Sequence, residues 1–228
     1  MAGPGKVGLA IEEKYKIEHA EDNSRLSITF NDSRPEPLNA LKEQGYDTIH
    51  CDIRDLGRTG IRFDIITVRY GLKDLPIGEA EVALKSIFES LVSGGRVVLG
   101  EMMAYSENGQ KGIMVVHGAK QILAGRSVNV EGNCYIPLMS QWQAYLSNAG
   151  FKEIEIPYRG YSQIKIEDYR GQFGQGANDA EMLQKMREVT KAEALRNPKF
   201  QSEAKVCLRD GDWHISYPIL AITAVKRD

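Results

Sequence analysis

From Phe63 to Met103 the alternation of apolar and polar stretches spells out one supersecondary unit. Ile65-Ile66-Thr67-Val68 is a short apolar run rich in β-branched side chains, entered through Phe63-Asp64, and it predicts a buried strand. Between Gly78 and Val92 the apolar residues Val82, Leu84, Ile87, Phe88, Leu91 and Val92 fall close to helical spacing, and Gly94-Gly95 is expected to stop the helix. Arg96-Val97-Val98-Leu99-Gly100 predicts a second apolar strand. Strand, helix and strand in succession make a βαβ unit, with parallel strands buried on both faces.

The rest of the chain carries weaker versions of the same pattern. Val7 to about Lys16 predicts a helix behind Gly3-Pro4-Gly5-Lys6-Val7-Gly8, which satisfies GxGxxG. Such glycines let backbone amides approach a ligand, but only Met1 and Ala2 precede them here, so a flexible glycine cluster fits equally. Leu26 to Phe30 alternates as a strand and ends on Asn31-Asp32-Ser33, after which Pro35-Glu36-Pro37-Leu38 opens a helix to about Gln44. Tyr46 to Cys51 predicts a short third strand, followed by Asp52-Ile53-Arg54-Asp55-Leu56.

Further on, Ser140 to Ala149 predicts a helix capped by Ser140 and stopped at Gly150, and Lys152 to Ile156 a strand. Asp179 to about Arg196 predicts a charged amphipathic helix with Met182, Leu183, Met186, Val189 and Leu195 as its core face. Lys205 to Leu208 and Trp213 to Val225 predict a hairpin turned at Asp210-Gly211. The segments 104–137, helical only around Ile113 to Leu123, and 161–205 read as a small substrate cap or insertions within a single domain covering 1–228.

Composition narrows the function. At 228 residues, 42% apolar and 26% charged, the chain is long enough to bury one α/β core. A net charge of −2 gives no electrostatic footprint for nucleic acid or an anionic membrane. No apolar run is long enough to span a bilayer, and no signal-peptide pattern opens the chain. Cys51, Cys134 and Cys207 are far apart and lack CxxC spacing, which points to reduced thiols in a cytoplasmic protein and to neither a disulfide nor a metal framework. A small-molecule substrate is the expected partner; oligomeric state is not legible, and an oligomer stays open.

Candidate chemistry sits at the strand tips. Asp32 ends the first of the short strands, where a carboxylate can accept both hydroxyls of a ribose or instead cap the next helix. Asp52 ends the next one, and Arg69-Tyr70 the third, at intervals of roughly 20 residues. Open α/β sheets bind ligands at those carboxyl ends.

The wording of these stretches is more specific than their period. FDIITVRYGLKDLP, a helix and SGGRVVLGEM resemble the fourth and fifth strands of class I S-adenosylmethionine-dependent methyltransferases, nearest the branch that methylates ubiquinone and menaquinone precursors. NDSRPEPL resembles the family's D-x-S-P-x-x-L motif, CDIRDL its adenine-binding motif, and NAGFKEIEIPY its turn into the sixth strand. The resemblance implies a Rossmann-like, mostly parallel sheet with an antiparallel terminal strand, helices on both faces, and S-adenosylmethionine as cofactor. It implies that Gly3, Gly5, Asp32, Ser33, Asp52, Ile53 and Arg69 hold that cofactor. Methyl transfer to oxygen or activated carbon also benefits from a base, for which His117 and Tyr105 in the cap are the candidates; His117 can equally be a structural histidine.

The family places a strand and an acid before the glycines, so the sequence leads to the expectation that the first strand is missing. On that expectation the chain binds cofactor poorly, and about 30–50 upstream residues, enough for a strand and a helix, restore it. A nicotinamide-dependent oxidoreductase and an inactive methyltransferase-like binding or assembly subunit are the competing readings.

Overall fold

Ile65 to Arg69 pair in parallel with Arg96 to Gly100, so the βαβ unit forms in the register its apolar pattern requires. In this computed structural model, residues 5–19, 26–76, 78–125, 135–173 and 178–227 are described; Gly3 and Cys134 lie outside them. The strands are β1 (Thr29–Asp32), β2 (Asp47–His50), β3 (Phe63–Arg69), β4 (Leu91–Met102), β5 (Lys152–Lys165), β6 (Cys207–Arg209) and β7 (Asp212–Val225). The helices are α1 (Lys6–Glu18), α2 (Pro35–Glu43), α3 (Glu79–Ser90), α4 (Glu107–Leu123), α5 (Met139–Ala149), α6 (Asp179–Arg196) and α7 (Pro198–Glu203).

The main sheet runs β3-β4-β7-β5, with β6 on β7. β7 is antiparallel to both β4 and β5, so β3, β4 and β5 share one direction and β7 opposes them. β1 and β2 pair in parallel as a separate two-stranded sheet. This is an α/β, Rossmann-like architecture: a mixed, mostly parallel sheet with an antiparallel strand from the chain's end. Among the described residues no helix is long and apolar enough to cross a membrane.

Pairing explains why one face of β3 is buried. Ile66 and Val68 pair with Val97 and Leu99 and point to the same side. There they meet Ala83, Leu84 and Ile87 of α3 and Trp142 and Leu146 of α5 in the principal core. A second cluster joins Ile113 and Val116 of α4 to Leu183 and Met186 of α6, Phe200 of α7, and Ile215 and Tyr217 of β7. The third is small: Phe30, Leu38 and Leu41, with Leu9, Ile28 and Tyr46 at its margin, hold the β1–β2 half together.

Several expected boundaries move, each for a visible reason. Leu91, expected in the helix, is extended and fully buried because it pairs with Phe63, so α3 ends at Ser90 before the two glycines. β1 starts three residues later than its alternation suggests and takes in Asn31 and Asp32, because its length is set by β2. Ser140 lies inside α5; the cap is made by the Gln141 side chain, whose Oε1 accepts the Leu138 N–H at 2.7 Å. Leu195 is 75% exposed, and Thr190, Glu193 and Ala194 take the inward face expected for it. β5 continues through Lys165, drawing the start of the expected 161–205 insertion into the sheet against β7.

α1 lies against β1 through a glycine. A Cβ on Gly8 would stand 2.5 Å from Phe30 Cε1, and Phe30 is itself locked edge-on to Tyr46 at 5.2 Å between ring centres. Gly8→Ala gains roughly 1 kcal/mol of helix propensity but forces Phe30 out of a core built on few residues. A net loss of about 1–2 kcal/mol is expected from such overpacking. An unchanged urea midpoint would show that α1 can slide off β1 at no cost.

Candidate functional site

A cavity of about 590 Å³ opens between the two sheets and is lined from β1, β3, the start of α1 and the segment after β2. Gly5, Asp32, Ile53 and Arg69 all line it, so four of the sequence-predicted cofactor residues converge from four separate elements. Ser33 and Asp52 are not in the lining.

Each lining residue has a local cause. Gly5 precedes α1 with φ 73°, a conformation that suits glycine, and a Cβ there would meet Leu41 Cδ2 at 2.8 Å. Asp32 is fully buried at the carboxyl tip of β1, and its Oδ1 accepts the Arg34 N–H at 3.0 Å. The same oxygen pairs with Arg34 Nε at 3.5 Å. The carboxylate therefore shapes the turn into α2 while bordering the cavity; α2 itself starts after Arg34 with no side-chain cap. Ser33 is exposed, and its carbonyl oxygen lies 3.1 Å from His50 Nε2.

Asp52 acts at one remove. It caps the short 3-10 helix Ile53–Thr59, with Oδ1 accepting the Arg54 N–H at 2.9 Å. Arg54 Nη2 reaches Asp52 Oδ2 at 2.6 Å, and its Nη1 reaches Glu79 Oε2 at 3.2 Å. The Arg54 guanidinium holds the Asp52 carboxyl below the usual carboxylate range, against an opposing push from partial burial. Its stabilising contribution is thus present above the ordinary carboxylate pKa and lost as pH falls through the lowered one. This clamp fixes the turn that presents Ile53, which is buried, to the cavity.

Sequence reasoning missed the group that shapes the third tip. Glu101, fully buried near the end of β4, accepts the Gly71 N–H at 2.8 Å and the Leu72 N–H at 3.1 Å through Oε1. Tyr70 turns the chain there with φ 53° and donates its N–H to the Gly100 carbonyl at 2.9 Å. The signal was present: an acid ends the apolar run Val97-Val98-Leu99-Gly100, the same tip rule that selects Asp32. Asn31 was likewise missed; its Nδ2 donates to the Ile49 and Cys51 carbonyls, both at 3.0 Å, and ties β1 to β2 beside the cavity.

The two candidate catalytic residues stand elsewhere. His117 is buried in α4 with its Nε2 3.4 Å from Gln121 Nε2, and it is not part of the lining. Tyr105 is 45% exposed and hydrogen-bonded to Tyr161; partial burial, with the neighbouring Tyr161, raises its hydroxyl above the usual phenol range. It too lies outside the lining.

No family model matches the sequence, and no curated protein matches it. Solved structures do match the fold. The YcgJ protein of Bacillus subtilis aligns with a TM-score of 0.69 at 14% identity, covering 100% of this chain and 89% of that one. A candidate methyltransferase of Bacillus halodurans aligns with a TM-score of 0.70 at 15% identity, covering 100% of this chain and 90% of that one. The plantazolicin methyltransferase BamL, solved with S-adenosylhomocysteine (SAH) and a triazolic desmethylPZN analogue, reaches a TM-score of 0.50 at 10% identity, covering 100% of this chain and 75% of that one. At such identities the likeness establishes the Rossmann-like fold of this chain.

Proposed function

We propose that this chain is built for S-adenosylmethionine-dependent methyl transfer to a small-molecule acceptor, with the inter-sheet cavity as its cofactor site. The supporting observation is the convergence of Gly5, Asp32, Ile53 and Arg69 on one cavity. The donor set fits the group: a carboxylate at a strand tip for the ribose and an apolar side chain for the adenine. BamL, with the same fold, binds S-adenosylhomocysteine, which supports the same chemistry here.

The bound cofactor supplies a methyl group on a sulfonium centre. The chain's own part is to hold and orient. Asp32, already fixed by Arg34, would accept from the ribose hydroxyls, and Ile53 would offer the adenine an apolar surface. Arg69, which lines the cavity at the β3 tip, would complete the cofactor-holding wall. His117 and Tyr105 receive no step in this proposal. The RYGLKDLP wording carries the finer proposal, an acceptor related to quinone precursors.

Calorimetric titration with S-adenosylmethionine, SAH and NAD separates the readings. Binding of the first two alone supports the proposal; binding of NAD alone supports an oxidoreductase, and binding of none supports a structural subunit. Asp32→Ala and Asp52→Ala are each expected to weaken cofactor binding by about 1–3 kcal/mol, the first directly and the second by releasing Arg54 and Ile53. Wild-type affinity in both variants would remove the site assignment.

A further inference from the structure

Outside the cavity, four polar side chains gather where β5 runs past the end of β4. Arg159 and Tyr161 fall on one face of β5, paired with Leu220 and Pro218 of β7. The Pro218 carbonyl accepts the Met103 N–H at 3.0 Å, so Tyr161 stands level with the chain leaving β4. Two residues further along that chain, Tyr105 is hydrogen-bonded to Tyr161, and the charges of Arg159 and Glu203 act on its hydroxyl. Lys205 is the fourth member: its Nζ lies 3.6 Å from the centre of the Tyr161 ring.

The backbone holds Lys205 there against its preference. Its φ is 44°, in the left-handed region that favours glycine. Hydrogen bonds pin it from both sides: the Ala204 carbonyl accepts the Ser216 N–H at 2.7 Å, and Val206 donates its N–H to the Gln201 carbonyl at 2.9 Å. Charge in the group is unbalanced. Arg159 and Lys205 are exposed, and neither is ion-paired with an acid among the described residues. Glu203 is already engaged, its Oε1 accepting the Ser106 hydroxyl at 2.6 Å. In the tyrosine pair one hydroxyl hydrogen is used between the rings, which leaves the other free to donate.

We propose that Tyr105, Arg159, Tyr161 and Lys205 form a recognition site for one oxyanionic group, a carboxylate or a phosphoryl, carried by a small methyl acceptor. The guanidinium of Arg159 offers a fork of N–H donors, Lys205 a compact charge, and the remaining tyrosine hydroxyl one more donor. The phenol rings give a planar substituent an apolar flank. Pairing runs from Arg69 through Gly100 and Ala221 to Tyr158, so the site shares the Arg69 end of the sheet, about 14 Å away across three strand spacings. It therefore lies apart from the cofactor cavity, within reach of the far end of an acceptor. Assigning the anion to the acceptor rests on the methyl-transfer reading; the anion site itself does not.

Benzoate, phenyl phosphate and uncharged benzamide are titrated in turn into the full chain without cofactor, and backbone amide and arginine Nε–H signals are followed by NMR. Saturable shifts at Tyr105, Arg159, Tyr161 and Lys205 are expected with the anions and none with benzamide; the tighter anion tells carboxylate from phosphoryl. Arg159→Gln and Lys205→Gln change exposed side chains, so the chain should fold normally, and each should weaken anion binding about 10-fold. Lys205→Arg keeps the charge and should retain most of the affinity. Equal shifts from benzamide, shifts that do not saturate, or unchanged affinity in both glutamine variants overturn the proposal. Repeating the benzoate titration with SAH present separates the site from the cavity: both ligands should bind together, and displacement of benzoate by SAH overturns the proposal. Saturable benzoate binding in a chain that binds no SAH upholds the anion site and removes the methyl-transfer reading instead.

Discussion

Glu101→Ala is expected to lower stability by about 2–6 kcal/mol, because it strands two buried backbone donors, Gly71 and Leu72, at about 1–3 kcal/mol each. Both donors belong to the turn that leaves β3, so the damage falls on Arg69 and Tyr70 as well as on the core. Glu101→Gln keeps an acceptor oxygen on a side chain of the same length and should lose about 1 kcal/mol. Urea unfolding of the three proteins reads the stability, and cofactor titration reads the tip. The alanine variant should show a lower midpoint and weaker binding, the glutamine variant a small change in each. An alanine variant as stable as wild type would mean that the turn is held by Tyr70 and its contact to Gly100 alone.

Elements whose local chemistry and tertiary fate agree were legible from the sequence. The Asp210-Gly211 turn is one: both residues take positive φ, 51° and 76°, the combination that matches a two-residue hairpin to twisted strands. α6 is another, from Asn178, whose Oδ1 accepts N–H groups of the first turn, to Asn197 before Pro198. Where a distant partner decides, pattern alone misplaced the boundary. Leu91 fits the spacing of α3, yet pairing with Phe63 draws it into β4. Leu195 fits the apolar stripe of α6 only by type, and the helix's rotation puts Thr190 and Ala194 inward instead.

The site divides in the same way. Asp32, Ile53 and Arg69 were expected together at the carboxyl ends of strands, and although β1 and β3 belong to different sheets their ends border one cavity. Asp52 was singled out for its position, yet it lies outside the lining and is held in a hydrogen-bonded clamp with Arg54 and Glu79 that no spacing encodes. Glu101 acts on a backbone thirty residues earlier in the chain. His117 and Tyr105 were chosen by residue type within a segment whose packing was unreadable; α4 turns His117 toward Gln121 and into the interior beside the second core.

Trp142→Ala should be the most damaging single change in the principal core. The indole is fully buried, stands edge-on to Tyr145 with ring centres 6.2 Å apart, and donates Nε1–H to the Met102 carbonyl at 3.0 Å. It thereby fastens α5 to the last residue of β4, next to Glu101. Removing the ring leaves a cavity and an unpartnered carbonyl, a loss of about 3–5 kcal/mol. At this size that corresponds to a fall in Tm of roughly 6–20 °C. Trp142→Phe separates the two causes, since it keeps most of the ring volume and deletes the N–H. A loss of about 1–3 kcal/mol is expected from the stranded carbonyl, with the remainder of the alanine effect due to packing. Because the Met102 carbonyl adjoins the strand tip shaped by Glu101, the phenylalanine variant should also loosen the turn at Gly71, seen as faster amide exchange there. If the phenylalanine variant matches wild type in both Tm and exchange, the hydrogen bond contributes nothing and α5 is held on β4 by shape alone.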